Sequence, residues 1–155
     1  MKFTKGLPRE AQKDELVGLD FEMFGMQRPH RADGTLACLS VAYGNGDCYQ
    51  VYDAADIPRT IKRLANGVWC MQNALFDLRV MRRYATVSER YIHDTMLIDQ
   101  DLFGGWYSTF SLADLSRRHL GEVLVKSVRD KFLAQESMTE DMKEYAVKDA
   151  IMTVR

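Results

Sequence analysis

Two acidic residues stand two positions apart at the end of an apolar run near the start of the chain. The run is "LVGLDFEMFG" (residues 16–25), and its acids are Asp20 and Glu22. In a β-strand, residues i and i+2 point to the same face, so these carboxylates would lie side by side while Phe21 turns away. Like charges at such a spacing destabilise a fold unless something positive lies between them. The pair therefore indicates a site for a cation.

Further acids follow at helical spacing. In "MQNALFDLRVM", Asn73 and Asp77 are four residues apart at the start of a predicted helix. In the last predicted helix, Tyr145 and Asp149 are also four apart, which places them on one face. Clustered carboxylates suit hard divalent ions such as Mg²⁺ and Mn²⁺, which prefer oxygen ligands. The candidate ligands for such a site are Asp20, Glu22, Asp77 and Asp149.

The strands that must position the acids are visible as apolar runs. The run from residue 16 has the pattern of a strand covered on both faces. The segments "TLACLSVAYG" and "CYQVYD" predict two strands joined by "NGD", a good hairpin signal. The segment "GVWCMQ" predicts one more short strand. The first acid pair would thus belong to a sheet that includes a hairpin.

Helices are predicted mainly after the hairpin. The first is "IPRTIKRLAN", with Asp56 as its N-cap, Pro58 in its first turn and Gly67 beyond its end. The others are "ALFDLRVMRRYA", "DTMLIDQDLF", "SLADLSRRHLG" with a Ser cap and a Gly stop, and "TEDMKEYAVKDAIMTVR" with a Thr cap. Asp94, Asp99 and Asp101 are explained as residues near a helix start. Alternating strands and helices predict an α/β domain with a mixed sheet flanked by helices.

Length and composition limit the classes of protein. With 155 residues and 46% hydrophobic content, the chain has enough apolar material for one full core. A net charge of −1 gives no general basic field, so any nucleic-acid contact would be local. Cys38, Cys48 and Cys70 lack CxxC spacing, and an odd number of cysteines argues against a disulfide framework. Without a signal peptide or a membrane span, a cytoplasmic location is expected.

The three acidic motifs resemble those of the 3′–5′ exonuclease superfamily with four acidic residues, which has a ribonuclease H-like fold. "LDFE" resembles the first motif (Asp-x-Glu), "NALFD" the second (Asn-x-x-x-Asp) and "YAVKD" the third (Tyr-x-x-x-Asp). The third motif is that of the tyrosine subtype, because the histidine subtype has its His five residues before the last Asp, where this chain has Glu144. The resemblance runs from about residue 16 to the C-terminus. Each motif alone is a weak signal, but all three occur in the expected order and spacing.

One branch of the superfamily is more similar than the others. "HDTMLIDQDLFGG", "SLADLSRRHLG" and "YAVKDAIMTVR" resemble the proofreading domain of family A (polymerase I-like) DNA polymerases more than ribonuclease D. This implies single-stranded DNA 3′ ends as the partner, a role in proofreading, and a polymerase domain in the same or another chain. A ribonuclease D-like enzyme acting on RNA stays an alternative, since no feature of the sequence reads a 2′-hydroxyl. A non-catalytic nucleic-acid-binding module of the same fold is the other alternative.

The resemblance also implies a role for each motif residue. Phosphodiester hydrolysis needs an activated water and stabilisation of the leaving oxygen, which two metal ions about 3.5–4 Å apart supply. Asp20 would bridge two Mg²⁺ or Mn²⁺ ions, and Glu22 and Asp149 would complete the site that holds the water. Asp77 would hold the second ion through water, and Tyr145 would orient the attacking water. The product would be a nucleoside 5′-monophosphate.

Substrate contacts are assigned less directly. Many family members have Thr after the first-motif Glu, where it helps to hold the 3′ end, but this chain has Met23. The resemblance assigns substrate contacts to Met23 and Asn73. Six cations either meet phosphates or form solvated helix faces: Arg79, Arg82, Arg83, Lys126, Arg129 and Lys131.

The same residues also have purely structural explanations. Taken alone, Asp20 and Glu22 fit a solvated strand end, and Tyr145 fits a half-buried packing residue. The joint order of the five motif residues favours the exonuclease. We expect one exonuclease domain over residues 1–155, with residues 1–14 as an N-terminal extension. The chain ends six residues after Asp149, so two expectations stay open: a longer natural protein in which the last helix continues, or a compact stand-alone exonuclease.

Overall fold

The computed structural model of this chain describes residues 2–25, 34–87, 92–124 and 128–155. Within these residues a six-stranded sheet has the order β1-β4-β3-β2-β5-β6. Its strands are β1 (Thr4–Lys5), β2 (Leu16–Phe24), β3 (Thr35–Tyr43), β4 (Cys48–Val51), β5 (Val68–Met71) and β6 (Ile92–Asp94). Strand β2 pairs antiparallel with β3 and parallel with β5, so the sheet is mixed. The predicted α/β class is confirmed.

The predicted hairpin is the β3–β4 pair. These strands are antiparallel, and the Tyr43 N–H donates to the Asp47 carbonyl at 2.9 Å to close the turn. Gly46 in this turn has a φ of 94°, a conformation that suits a residue without Cβ. Two strands were not predicted, β1 and β6, and both are short. Strand β1 pairs with β4, so part of the expected N-terminal extension belongs to the sheet.

Six α-helices occur in the described part of the chain. They are α1 (Ile57–Leu64), α2 (Ala74–Met81), α3 (Thr95–Phe103), α4 (Leu112–Leu115), α5 (Lys131–Ala134) and α6 (Glu140–Val154). A 3₁₀ turn (Ala54–Asp56) precedes α1, and a π-helical turn (Ser116–Leu120) follows α4. The sequence did not predict α5. Across the described segments, no helix is both long enough and apolar enough to cross a membrane.

The helix caps agree with prediction in part. The Ser111 hydroxyl and the Asp114 carboxylate form a capping box at α4, and Gly121 ends the following turn with a φ of 69°. The predicted cap at Asp56 is wrong, because its side chain makes no capping bond. Instead Asp53 accepts from the Ala55 N–H at 2.9 Å. The 3₁₀ turn before α1 makes the helical segment begin three residues earlier in the chain, so Asp53 is the residue that caps it. Thr139 is at the N-cap position of α6, but its side chain does not cap the backbone.

The side chains of β2 alternate between two environments. Val17, Leu19, Phe21 and Met23 are buried in the main core cluster together with apolar residues of α1 and α2. The residues between them point to the opposite face, which α6 covers, with Ala150 and Val147 packing on β3 and β4. This alternation places Asp20 and Glu22 under α6.

Gly18 sets how closely α6 approaches the sheet. A Cβ atom at Gly18 would lie 2.1 Å from the Ala150 carbonyl oxygen and 2.9 Å from the Thr153 hydroxyl oxygen. Any side chain at this position would therefore collide with the α6 backbone. Helix α6 thus contacts β2 two residues before Asp20, the first acid of the site.

Candidate active site

Three carboxylates from two distant parts of the chain meet on this face. Oxygen atoms of Asp20, Glu22 and Asp149 all lie within 4.8 Å of one another. Strand β2 supplies the first two side chains, and α6 supplies the third. Each side chain keeps part of its surface open to solvent, yet protein surrounds most of each carboxyl group. The group is therefore only partly open to solvent, and this opening is termed the acidic cleft.

The pKa values of the three acids are all raised, which disfavours three charged carboxylates at neutral pH. Burial raises the pKa of Asp20 well above its ordinary value, and the charges of Glu22 and Asp149 raise it further. Burial, followed by the charge of Asp149, raises the pKa of Glu22 to about 8. Burial also raises the pKa of Asp149 to about 6. A cation between them would stabilise the ionised forms.

The donor set fits a hard divalent cation. Within the described residues, the buried Oδ2 atom of Asp20 has no hydrogen-bond partner, which is costly for a carboxylate oxygen unless a cation meets it. Across the β2–β3 ladder, Ser40 lies opposite Asp20, and Cys38 lies opposite Glu22. Burial and the neighbouring acids hold the pKa of Cys38 well above the usual range, so its thiol stays neutral. The available ligands are therefore oxygens, as Mg²⁺ and Mn²⁺ prefer.

Asp77 is the fourth acid of the site. It is buried on α2, and its Oδ1 accepts a 2.9 Å hydrogen bond from the Phe21 N–H. Burial raises the pKa of Asp77 to about 7, while the Phe21 N–H opposes that rise. Its carboxylate lies outside the 4.8 Å group, but its charge raises the pKa of Asp20 and Glu22. The structure thus brings all four predicted acids together.

Asp94 holds the start of α2, the helix that carries Asp77. Its carboxylate accepts from the N–H groups of Asn73 at 3.1 Å and Ala74 at 2.8 Å. The same carboxylate caps α3 by accepting from the Met96 N–H at 3.0 Å. Sequence reasoning identified only a role near one helix start, because the link to α2 spans two elements that are separate in sequence. No local signal would have revealed the second role.

Tyr145 lies one helical turn before Asp149, and its hydroxyl interacts with that carboxylate and lowers the pKa of Asp149. Its half-buried ring packs against Phe132 at a centroid distance of 6.3 Å. Burial, followed by the charge of Asp149, raises the pKa of the phenol, so the hydroxyl keeps its proton at neutral pH. Tyr145 is therefore a hydrogen-bond donor at the edge of the acidic group.

A polar contact on the same face of the sheet as the acids fixes the position of α6. Gln50 is fully buried, and its Nε2 donates to the Lys143 carbonyl at 2.9 Å and to the Ser40 hydroxyl at 3.2 Å. Lys143 precedes Tyr145 on α6. Together with the close approach at Gly18, this bond sets the position of the helix that carries Asp149. For the close approach of α6, the available sequence signal was Gly18, a glycine inside a predicted strand.

Comparison with known proteins assigns this arrangement to a family. The family model described as 3′–5′ exonuclease matches residues 3–155, nearly the whole chain. The chain belongs to the 3′–5′ exonuclease family. The protein is accordingly a hydrolytic exonuclease, as the three motifs predict. No curated protein matches the exonuclease in sequence.

Solved structures share the fold of this exonuclease. Brucella melitensis NrnC has a TM-score of 0.75 at 18% identity, with 98% of this chain and 76% of that chain covered. The catalytic core of Trypanosoma brucei RRP6 has a TM-score of 0.65 at 17% identity and covers 92% and 38% of the two chains. A complex of Trypanosoma brucei RNase D with GMP has a TM-score of 0.69 at 10% identity and covers 89% and 48%. Identities this low establish a shared fold.

The two residues of the exonuclease that are predicted to contact substrate, Met23 and Asn73, differ in how far they are exposed. The Met23 side chain is 4% exposed and belongs to the main core, on the face of β2 opposite the acids. The backbone of Met23 is therefore the part left for a substrate contact, which stays a prediction. Asn73 is exposed, with a φ of 59° where the chain turns from β5 into α2. Its substrate contact stays a prediction.

The predicted phosphate-binding cations also differ from one another. Lys131 forms an ion pair with Asp141, and Arg83 donates to the Gly34 carbonyl at 2.8 Å. Lys126 lies outside the described residues. Arg129 is exposed next to the acidic cleft. The cations predicted to meet phosphates thus differ in whether a protein group already accepts from their donors.

Proposed function

We propose that this exonuclease removes nucleoside 5′-monophosphates one at a time from the 3′ end of single-stranded nucleic acid, with two divalent metal ions. The observation that carries the proposal is the meeting of Asp20, Glu22 and Asp149 around a buried carboxylate oxygen without a donor. Protein sites of this composition suit Mg²⁺ or Mn²⁺. A structure of Brucella melitensis NrnC, which shares the fold, contains bound Mg²⁺.

Each acid has a proposed part in holding the metals. Asp20 would serve both ions, Glu22 and Asp149 would help to hold the ion that binds the attacking water, and Asp77 would help to hold the second. When bound, the two ions activate a water and stabilise the charge that develops on the leaving oxygen. The raised pKa values of Glu22 and Asp149 mean that metal binding displaces protons from these side chains.

Tyr145 is proposed to orient the attacking water. Its hydroxyl keeps its proton, because burial and the charge of Asp149 raise its pKa. It is thus a poor base but a suitable hydrogen-bond donor or acceptor for a water in the cleft. Its packing on Phe132 and its position one turn before Asp149 hold the hydroxyl at the edge of the acids.

Single-stranded DNA is the proposed substrate, and proofreading beside a polymerase domain is the proposed role. The resemblance of the segments after Asp77 to family A polymerase proofreading domains supports it. RNA is the second candidate, supported by the fold shared with NrnC, solved with pGG, and with RNase D, solved with GMP. The proposed location is the reducing cytoplasm, because the cysteines in this chain are free and buried.

A nuclease time course tests the proposal. The substrates are 5′-labelled single-stranded DNA and RNA oligonucleotides, incubated with Mg²⁺, Mn²⁺ or EDTA. We expect a ladder that shortens from the 3′ end and disappears with EDTA or in Asp149→Ala. Asp101→Ala, which removes an exposed acid on α3, is the matched control and is expected to stay active. The polymer that is degraded faster identifies the substrate class.

The same assay separates the enzyme from a binding module. If folded protein with bound metal degrades neither polymer, the proposed activity is wrong, and a non-catalytic nucleic-acid-binding role replaces it. The assembly of all four acids and Tyr145 in one cleft supports the enzyme, because a module without catalytic function has no need of them.

A further inference from the structure

Arg129 is held at the mouth of the cleft by its neighbours in sequence. Val128 and Phe132 belong to a small apolar cluster that also includes Phe24 and Tyr145. The Gly25 N–H donates to the Phe132 carbonyl at 3.0 Å, which fastens this segment to the end of β2. The backbone that carries Arg129 is therefore anchored between the first-motif strand and the third-motif helix.

The guanidinium of Arg129 differs from the nearby ammonium group of Lys131 because its donors are unused. Its side chain is exposed and, within the part of the chain that the structure describes, forms no hydrogen bond or ion pair. The nearby Lys131 is paired with Asp141. All the N–H donors of Arg129 are thus available to a ligand that enters the cleft.

The charge of Arg129 acts on the acidic group as a whole. It lowers the pKa of Asp20, Glu22 and Asp149 and so opposes the effect of burial on each. Lys148 also lowers the pKa of Asp149. Val128, next to Arg129, packs in one cluster with Phe24 of β2 and with Tyr145 of α6, so Arg129 lies on the side of the acidic group where these two elements meet.

We propose that Arg129 binds the phosphodiester that links the last two nucleotides at the 3′ end of the substrate. Its guanidinium would donate hydrogen bonds to the non-bridging oxygens of that group. A planar guanidinium with several donors matches a phosphate group better than a lysine ammonium does. The acids are the proposed ligands of the metal ions and do not bond to Arg129. The donors of Arg129 are therefore left for the substrate. This assignment rests on the proposed function of the same cleft.

A purely compensating charge is the alternative role for Arg129. A compensating cation would only offset the repulsion among the acids, so its removal would affect metal binding and not the affinity for nucleic acid. A phosphate ligand would affect the affinity for nucleic acid and its dependence on salt. The two roles therefore differ in their readouts.

The test compares Arg129→Gln and Arg129→Lys with Arg59→Gln, which removes an exposed arginine from α1. KM and kcat are measured on a single-stranded oligonucleotide over a range of KCl concentrations. We expect Arg129→Gln to raise KM about tenfold and to reduce the salt slope of binding by about 0.7, the value for one phosphate contact. Arg129→Lys should recover part of the loss, and the Mn²⁺-induced thermal shift should be kept. Unchanged KM and salt slope in Arg129→Gln would overturn the assignment.

A binding measurement keeps this test separate from that of the proposed function. Anisotropy with a labelled oligonucleotide carrying 3′-terminal phosphorothioates, in Ca²⁺, reports affinity without hydrolysis. If the wild-type protein is inactive but Arg129→Gln still weakens binding about tenfold, the phosphate contact stands and the exonuclease activity is wrong. If binding is the same in both proteins, the Arg129 assignment is wrong, whether or not the wild type hydrolyses the substrate.

Discussion

The backbone N–H of Phe21 donates a 2.9 Å hydrogen bond to Oδ1 of Asp77, which joins the first-motif strand to the second-motif helix. Strand β2 pairs with β5 only as far as Gly18 and Cys70. Beyond that point, the carboxylate of Asp77 provides the acceptor that a neighbouring strand would otherwise supply. Because Phe21 stands between Asp20 and Glu22, this bond fixes Asp77 relative to both acids.

Substitution of Asp77 should separate its structural role from its role in metal binding. Asp77→Asn retains an oxygen for the Phe21 N–H, whereas Asp77→Ala leaves that buried donor without a partner at a cost of about 1–3 kcal/mol. We expect both variants to lose nuclease activity, but only Asp77→Ala to lose stability in urea unfolding. Equal destabilisation of the two variants would contradict a structural role for this hydrogen bond.

The stability of the metal-free protein should fall as pH rises. Folding raises the pKa of Glu22 to about 8, of Asp77 to about 7 and of Asp149 to about 6, so the folded state holds protons that the unfolded chain has released. Stability from these groups is fully present below about pH 4 and is lost progressively up to about pH 8.

Thermal melts in EDTA between about pH 5 and about pH 8.5 measure this effect. We expect the melting temperature to fall across the range and Mn²⁺ to restore it most strongly at the alkaline end, where the acids are ionised. Glu22→Gln removes one of the titrating groups, so its melting temperature should depend less on pH. A profile as steep as that of the wild type would show that Glu22 does not contribute.

Removal of the Tyr145 hydroxyl should slow hydrolysis without preventing metal binding. Tyr145→Phe keeps the ring that packs on Phe132 but loses the hydroxyl that interacts with Asp149. We expect kcat to fall about a hundredfold, because the attacking water is no longer oriented, while the Mn²⁺-induced thermal shift is retained.

Tyr49→Phe, a half-buried tyrosine on β4, is the matched control and should keep full activity. If Tyr145→Phe loses the metal-induced shift as well as turnover, the hydroxyl maintains the structure of the site and has no separate part in the reaction.

Gly18→Ala should disturb the site although residue 18 carries no catalytic group. Its Cβ would lie 2.1 Å from the Ala150 carbonyl oxygen, so α6 must move away from β2. We expect a loss of about 1–3 kcal/mol in the free energy of unfolding and a weaker Mn²⁺-induced shift, since Asp149 moves with the helix.

Gly44→Ala is the control for this substitution, because a Cβ there meets no atom within 4 Å. Its unfolding and metal response should match those of the wild type. If Gly18→Ala behaves in the same way, the close approach of α6 is not what positions Asp149.

Much of the fold was predictable wherever a long apolar run or a strong turn signal occurred. The hairpin between β3 and β4 and the helix that carries Asp149 both follow from local pattern. The two-residue strand β1 and the three-residue strand β6 were missed, because so few residues have no period of their own and pair only when a neighbouring strand is present. The Asp56 cap was predicted one turn too late, because Asp53 starts an unpredicted 3₁₀ turn.

The sequence by itself determined that Asp20 and Glu22 share one face and that Tyr145 is one turn before Asp149. These relationships depend only on the repeats of a strand and of a helix, which are local properties of the backbone. The tertiary structure alone decided that Asp149 reaches the β2 acids, since that depends on α6 crossing the sheet at Gly18. It also decided that Met23 is buried while Arg129 stays exposed, because burial is set by packing between elements that are far apart in the chain.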